Sequence, residues 1–181
     1  MAGGTSLNAL LKVVLNWDFQ NYPAGGFDQT KSSQNLQFPP ASSDTYSQSL
    51  SSTAGTSNQL WADRRTVTTS TTTDDLDLAG SLTNFFGETI SLATLRGLVV
   101  FNRATVAGDD ITVGGAAANA LAAIFDASPS AELTVKASGM IVLLAPLDGY
   151  SVTGGSQDTL RITHAGSSEA ITYDIVAIGT E

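Results

Sequence analysis

The chain contains no cysteine. It therefore has no disulfide framework and no thiolate metal site, and its stability must come from packing. Charge is scarce: Asp, Glu, Lys and Arg make up 14% of its 181 residues, against about a quarter in an ordinary globular chain. Cations are scarcest, with 8 Lys+Arg against 17 Asp+Glu and a net charge of −9. Such a chain has no basic footprint for a phosphate backbone, which excludes direct nucleic-acid binding. No apolar run approaches the roughly 20 residues that span a bilayer, so no membrane partner is expected. The one apolar run near the start, residues 7–15, is interrupted by Lys12, has no basic residue before it and no A-x-A-like site after it. It is read as part of the fold rather than as an export signal.

Thr, Ser, Asn and Gln supply the polarity instead. Residues 59–82, QLWADRRTVTTSTTTDDLDLAGSL, mark the change from a polar, low-complexity start to a folded body. Leu60-Trp61 is a large apolar anchor, Arg64-Arg65 leads into a Thr-rich strand over residues 66–73, and Asp75-Leu76-Asp77-Leu78 alternates. The division expected is an N-terminal strand and extended polar arm over residues 1–58, then one domain over residues 59–181. Within residues 1–20, Val13, Leu15, Trp17 and Phe19 alternate and run into the turn-like Tyr22-Pro23-Ala24-Gly25-Gly26, which favours a strand over a helix. Residues 21–58 are rich in Ser and Gln and punctuated by Phe27, Leu36, Phe38, Tyr46 and Leu50. A plain linker would not need those anchors; an arm laid across a neighbouring subunit would.

After Trp61, candidate strands fall at residues 65–73, 98–102, 111–113, 132–136, 140–144, 151–153, 159–163 and 171–178, separated by Gly-containing turns. Short strands at this spacing indicate an all-β antiparallel sandwich or barrel. In the last strand Ile171, Tyr173, Ile175 and Ala177 face one way, and Thr172, Asp174 and Val176 the other. Two helical stretches are expected to interrupt: a single turn over residues 91–96 capped by Ser91, and residues 116–125, where a loop competes.

No motif carries chemistry. His164 is the only histidine; Ser and Asp are plentiful, but no G-x-S-x-G elbow accompanies it, and a turn or interface histidine is the better reading. Asp74, Asp75 and Asp77 form the one tight carboxylate cluster, without EF-hand spacing, and read as a solvated strand edge rather than a calcium site. Asp109-Asp110 reads as a turn. The pairs Gly25-Gly26, Gly114-Gly115 and Gly154-Gly155 fit no phosphate-loop pattern and serve turns. Arg64-Arg65 reads as an intersubunit salt bridge or solvated charge. No catalytic residue, metal or cofactor is expected; the interface residues expected are Phe27, Leu36, Phe38, Tyr46, Leu50, Trp61, Arg64 and Arg65.

From Leu60-Trp61 onward the chain resembles structural proteins of tailed phages and prophages. The resemblance rests on the Trp61 start and Thr-rich strand, Leu76-Asp77-Leu78-Ala79-Gly80-Ser81-Leu82, Phe86-Gly87, Leu98-Val99-Val100-Phe101-Asn102 and Val113-Gly114-Gly115. It continues through Gly139-Met140, Gly149-Tyr150-Ser151-Val152-Thr153, Asp158-Thr159-Leu160-Arg161-Ile162 and the closing run from Tyr173 to Gly179. The first sixty residues fall outside it. The resemblance implies a virion component with a jelly-roll-like sandwich on the capsid exterior. The leading reading is a capsid decoration or cement protein partnered by the major capsid protein and by copies of itself, and the low charge density and the spaced aromatics of the arm point to a trimer. The alternative is a tail or head-fibre module that binds a host surface glycan.

Overall fold

The computed structural model describes residues 57–84, 87–116, 118–125 and 128–181 in full. Of the chain before them it describes four strands by their backbone: β1 (Asn8–Val14), β2 (Phe19–Gln20), β3 (Lys31–Ser32) and β4 (Thr45–Ser51). The strand reading of the first twenty residues holds over Asn8–Val14. β1 pairs β4, and β2 pairs β3 with Phe19 opposite Ser32. Parts of the expected arm, Lys31–Ser32 and Thr45–Ser51, are therefore paired strand. Residues 9–49 form one compact unit; Met1–Asn8 and Leu50–Glu181 form the other.

The sandwich is built from β5 (Gln59–Thr68), β6 (Thr73–Asp77), β7 (Thr94–Asn102), β8 (Ile111–Gly114), β9 (Glu132–Val135), β10 (Met140–Leu144), β11 (Tyr150–Ser151), β12 (Thr159–His164) and β13 (Ala170–Thr180). Four antiparallel pairs are nested inside one another: β5 with β13, β6 with β12, β7 with β10, β8 with β9. The further pairings β7–β13 and β8–β12 join these into two sheets, β10-β7-β13-β5 and β6-β12-β8-β9. A hairpin-like strip of eight strands rolled so that its nested pairs alternate between two sheets is a jelly roll. β11 continues the line of β10 along β7, with Tyr150 opposite Leu95.

Period-two alternation builds the core. β13 buries Ile171, Tyr173, Ile175 and Ala177 and turns Thr172, Asp174 and Val176 outward, as its sequence pattern requires. Facing residues come from every long strand: Trp61 and Val67, Leu76, Leu98 and Val100, Ile111 and Val113, Leu160 and Ile162. Each such aliphatic side chain contributes about 1.5–3 kcal/mol on burial. Trp61 is 3% exposed, so it belongs to this core and offers nothing to an interface.

Three local readings are corrected. The Thr-rich run is not one strand: β5 ends at Thr68, and residues 69–72 turn the chain across to β6 in the other sheet. The threonines make that turn themselves. Thr68 N–H donates to Thr71 O at 3.0 Å, and Thr71 N–H donates to Thr68 Oγ1 at 2.8 Å, a side-chain bond that competes with the strand ladder. The turn expected over residues 91–96 is instead the start of β7, which begins at Thr94 and is held on both sides by β11 and β13. Of the helix expected over residues 116–125, only the single 3-10 turn Ala122–Phe125 forms. Gly114 and Gly115, both at positive φ, break the chain just before it, and a Cβ on Gly114 would lie 2.4 Å from Ala131 O.

Candidate interaction surface

The two sheets differ in what they show to solvent. The outer side of β6-β12-β8-β9 is polar, with Thr163, Thr112 and Thr134 in one cross-strand row. Beside that row Arg161 sits opposite Asp75 and grips it with two bonds, Nε–Oδ1 at 2.6 Å and Nη2–Oδ2 at 2.7 Å. The outer side of β10-β7-β13-β5 is apolar. One row runs Ala62, Val176, Val99, Val142; the next runs Leu60, Ile178, Gly97, Leu144. A third carries charge, Arg64 and Asp174, then Phe101 and Met140.

Two guanidiniums share the one carboxylate there. Asp174 accepts from Arg64 Nε and from Arg103 Nη1, each at 2.7 Å, and the Arg103 guanidinium lies 5.8 Å from the Phe101 ring centre. The Arg64 hydrogen bond, with Arg103 behind it, holds the Asp174 carboxyl below the usual carboxylate range. A sheet face of this kind suits apposition to another apolar surface.

The two long seams of the sandwich also differ. At the β5–β6 seam Arg65 donates to both oxygens of Asp74, from Nε at 2.5 Å and Nη2 at 2.9 Å, and to Asp63 at 3.1 Å. The buried Tyr173 hydroxyl donates to the same Asp74 at 2.6 Å. Burial pushes the Asp74 carboxyl up, but the hydrogen bonds from Arg65 and Tyr173 outweigh it and leave it below its ordinary value. Burial, then the bond to Asp74, pushes the Tyr173 phenol well above its ordinary value. At the opposite seam, among the described residues, no ion pair joins β9 to β10: Leu133 is 47% exposed, and Ile141 and Leu143 are only partly covered. Leu147, just past β10, is 84% exposed.

The residues considered for chemistry are spread through turns. Asp109 is buried and accepts from the backbone N–H and the hydroxyl of both Ser167 and Ser168. The Ser168 hydroxyl first, then its backbone N–H, lowers the Asp109 carboxyl. His164 Nε2 lies 2.8 Å from Ser168 O, a backbone carbonyl. Ser, His and Asp do meet in this corner, but the imidazole bonds the carbonyl rather than the hydroxyl, so no base addresses a nucleophile. The group instead ties the β12–β13 loop to the start of β8. Asp110, read with Asp109 as a turn, follows the turn over residues 106–109 and is buried, paired with Lys136 Nζ at 2.6 Å.

The carboxylates at Asp74, Asp75 and Asp77 split between the two sides of β6. Asp74 points inward, Asp75 outward to Arg161, and Asp77 caps Ala79 N–H at 2.8 Å. Among the described residues, no group of three or more His, Cys, Asp or Glu is placed to hold a metal ion. Arg64 and Arg65, expected at an interface, have their partners within this chain. The side chains of Phe27, Leu36, Phe38, Tyr46 and Leu50 lie outside the described residues.

Sequence reading missed the apolar outer rows. Their signal was present: Leu98-Val99-Val100-Phe101 and Met140-Ile141-Val142-Leu143-Leu144 are apolar at both parities, so both sides of those strands must be apolar. No protein-family model matches the chain, and no curated protein matches it.

Proposed function

We propose that this chain is a virion structural protein, a capsid decoration or cement protein that stabilises a phage head through contacts between subunits. The observation that carries its structural character is the contrast between the two outer sides: one polar and self-paired, the other apolar across four strands. The phage head is the assembly that the sequence resemblance names. On this reading the apolar side and its arm seat against the major capsid protein and against neighbouring copies on the capsid exterior. Each contact buries apolar area worth about 25 cal/mol per Å², and repetition over the shell supplies avidity. Pressure from packaged DNA must then break more interface to open the shell. Nothing in this work requires a nucleophile, metal or cofactor.

The test is cosedimentation of the purified protein with heads of the phage that encodes it. The expected result is saturable binding that raises the temperature at which the heads release DNA, lost in Val176→Asp. Failure to bind heads, with binding to a host surface glycan instead, would replace the decoration reading with that of a fibre module.

A further inference from the structure

We infer that β10 is a self-pairing edge, where a second copy of this chain docks by laying its own Met140–Leu144 antiparallel against this one. The inference rests on the reading of the chain as a contact-forming structural protein and supplies the partner and the register.

The first support is the direction of the backbone. Asn102 N–H donates to Gly139 O and Ala145 N–H donates to Arg96 O, each at 2.9 Å. Those bonds frame the β10–β7 ladder, in which hydrogen-bonded and non-bonded pairs alternate. The Gly139 carbonyl and the backbone groups of Ile141, Leu143 and Ala145 therefore turn toward β7, while Gly139 N–H donates to Lys136 O. Met140, Val142 and Leu144 turn theirs away, to the open edge of the sheet. Met140 is 59% exposed there.

The second support is a comparison of the edges. An open strand edge is a template for another chain unless charge, proline or a bulge blunts it. β5 carries Asp63, Arg64 and Arg65; β6 carries Asp74, Asp75 and Asp77; β9 carries Glu132. β10 reads Met-Ile-Val-Leu-Leu and carries no charge. Two copies with net charge −9 repel wherever carboxylates meet, as they would at β6 or β9. At β10 they meet without that cost.

The third support is self-complementarity. With a two-fold axis at Val142, Met140 falls opposite Leu144 and Val142 opposite itself, so every outward backbone group meets an outward partner. The side chains match as well: the row Val176, Val99, Val142 continues into the partner's Val142, Val99, Val176. The half-covered Ile141 and Leu143 come opposite each other on the inner side. Pro146, which has no N–H to donate, ends the pairing just past Leu144. Arg96 Nη1, bonded to the carbonyls of both Pro146 and Leu147, fixes that stop. An isologous pair closes at two subunits, so a dimer takes the place of the trimer expected from the sequence.

The absence of cysteine makes the test direct. In full-length Val142→Cys, the only disulfide available is between copies. The axis puts the two Cα atoms about 5.5 Å apart, within the roughly 4.4–6.8 Å that a disulfide spans. Mild oxidation should convert this variant to a covalent dimer of twice the 18.7 kDa chain mass. Ala62→Cys, on the opposite edge strand, should stay monomeric. In sedimentation equilibrium, Val142→Lys should be a monomer with unchanged circular dichroism. Equal cross-linking of both cysteine variants, no cross-linking of Val142→Cys, or a Val142→Lys protein that still associates would each overturn the inference. Head binding without cross-linking removes the dimer and keeps the decoration reading; cross-linking without head binding does the reverse.

Discussion

At the scale of single residues, Trp61 and the Arg65–Asp74–Tyr173 group hold the β5–β6 side together. Trp61 was legible in the sequence because an indole following a polar arm has nowhere else to go. Replacing it with alanine should cost roughly 3–5 kcal/mol, measured by denaturant unfolding. The Asp74 group was not legible, since nothing in Asp74-Asp75-Leu76-Asp77 says which carboxylate turns inward. Its consequence is a stability profile with two limbs. Asp74 has a folded pKa below its unfolded one, so its contribution is present above the unfolded value, about pH 4, and is lost as pH falls through the folded value. Tyr173 has a folded pKa above its unfolded one, so its contribution is present below about pH 10 and is lost as pH rises beyond that. Asp74→Asn should cost about 2–3 kcal/mol at neutral pH, with the deficit shrinking in acid. Tyr173→Phe should flatten the alkaline limb. Unfolding midpoints across pH measure both, and parallel wild-type and Asp74→Asn curves through the acid range would contradict the assignment.

At the scale of elements, strands with one apolar side were readable, and so were the places of the Gly-containing turns, but the bonds that turn residues make were not. β13 followed its alternation residue for residue, because the hydrophobic pattern fixes which side is buried. The Thr-rich run misled because threonine suits a strand and a side-chain-bonded turn alike, and the crossing to the second sheet decides between them. Asp109-Asp110 lies at a turn as read, with Asp109 N–H donating to Val106 O, but its partners were not legible: the four groups that satisfy Asp109 arrive from Ser167 and Ser168, far along the chain. Asp109→Asn keeps the shape but removes the charge and one acceptor. It should free the β12–β13 loop, seen as faster proteolysis within residues 165–169 while the sheets keep their circular dichroism. A loop as resistant as wild type would show that the contacts there are incidental.

At the scale of the whole molecule, the nested strand order follows from long-range pairing that spacing alone could not supply; the all-β class could be read, the strand number could not, since residues 65–73 join the end of β5 to the start of β6, and the jelly roll entered through resemblance. The apolar outer rows were half legible, in the apolar runs of β7 and β10. A net charge of −9 sets the behaviour of copies toward each other. If they meet through an uncharged edge, the remaining carboxylates only repel, and salt screens repulsion over about 10 Å at 0.1 M. Self-association should therefore tighten as salt rises. Association that weakens with salt would point to ion pairs across the interface and away from β10.

The claim that copies of this sandwich meet edge to edge at β10 is tested most directly by amide hydrogen exchange at low and high protein concentration. The amides of Met140, Val142 and Leu144 should exchange freely in dilute solution and become protected as concentration rises, while the exposed edges of β5 and β6 stay unchanged. Exchange across residues 140–144 that is the same at every concentration would contradict it.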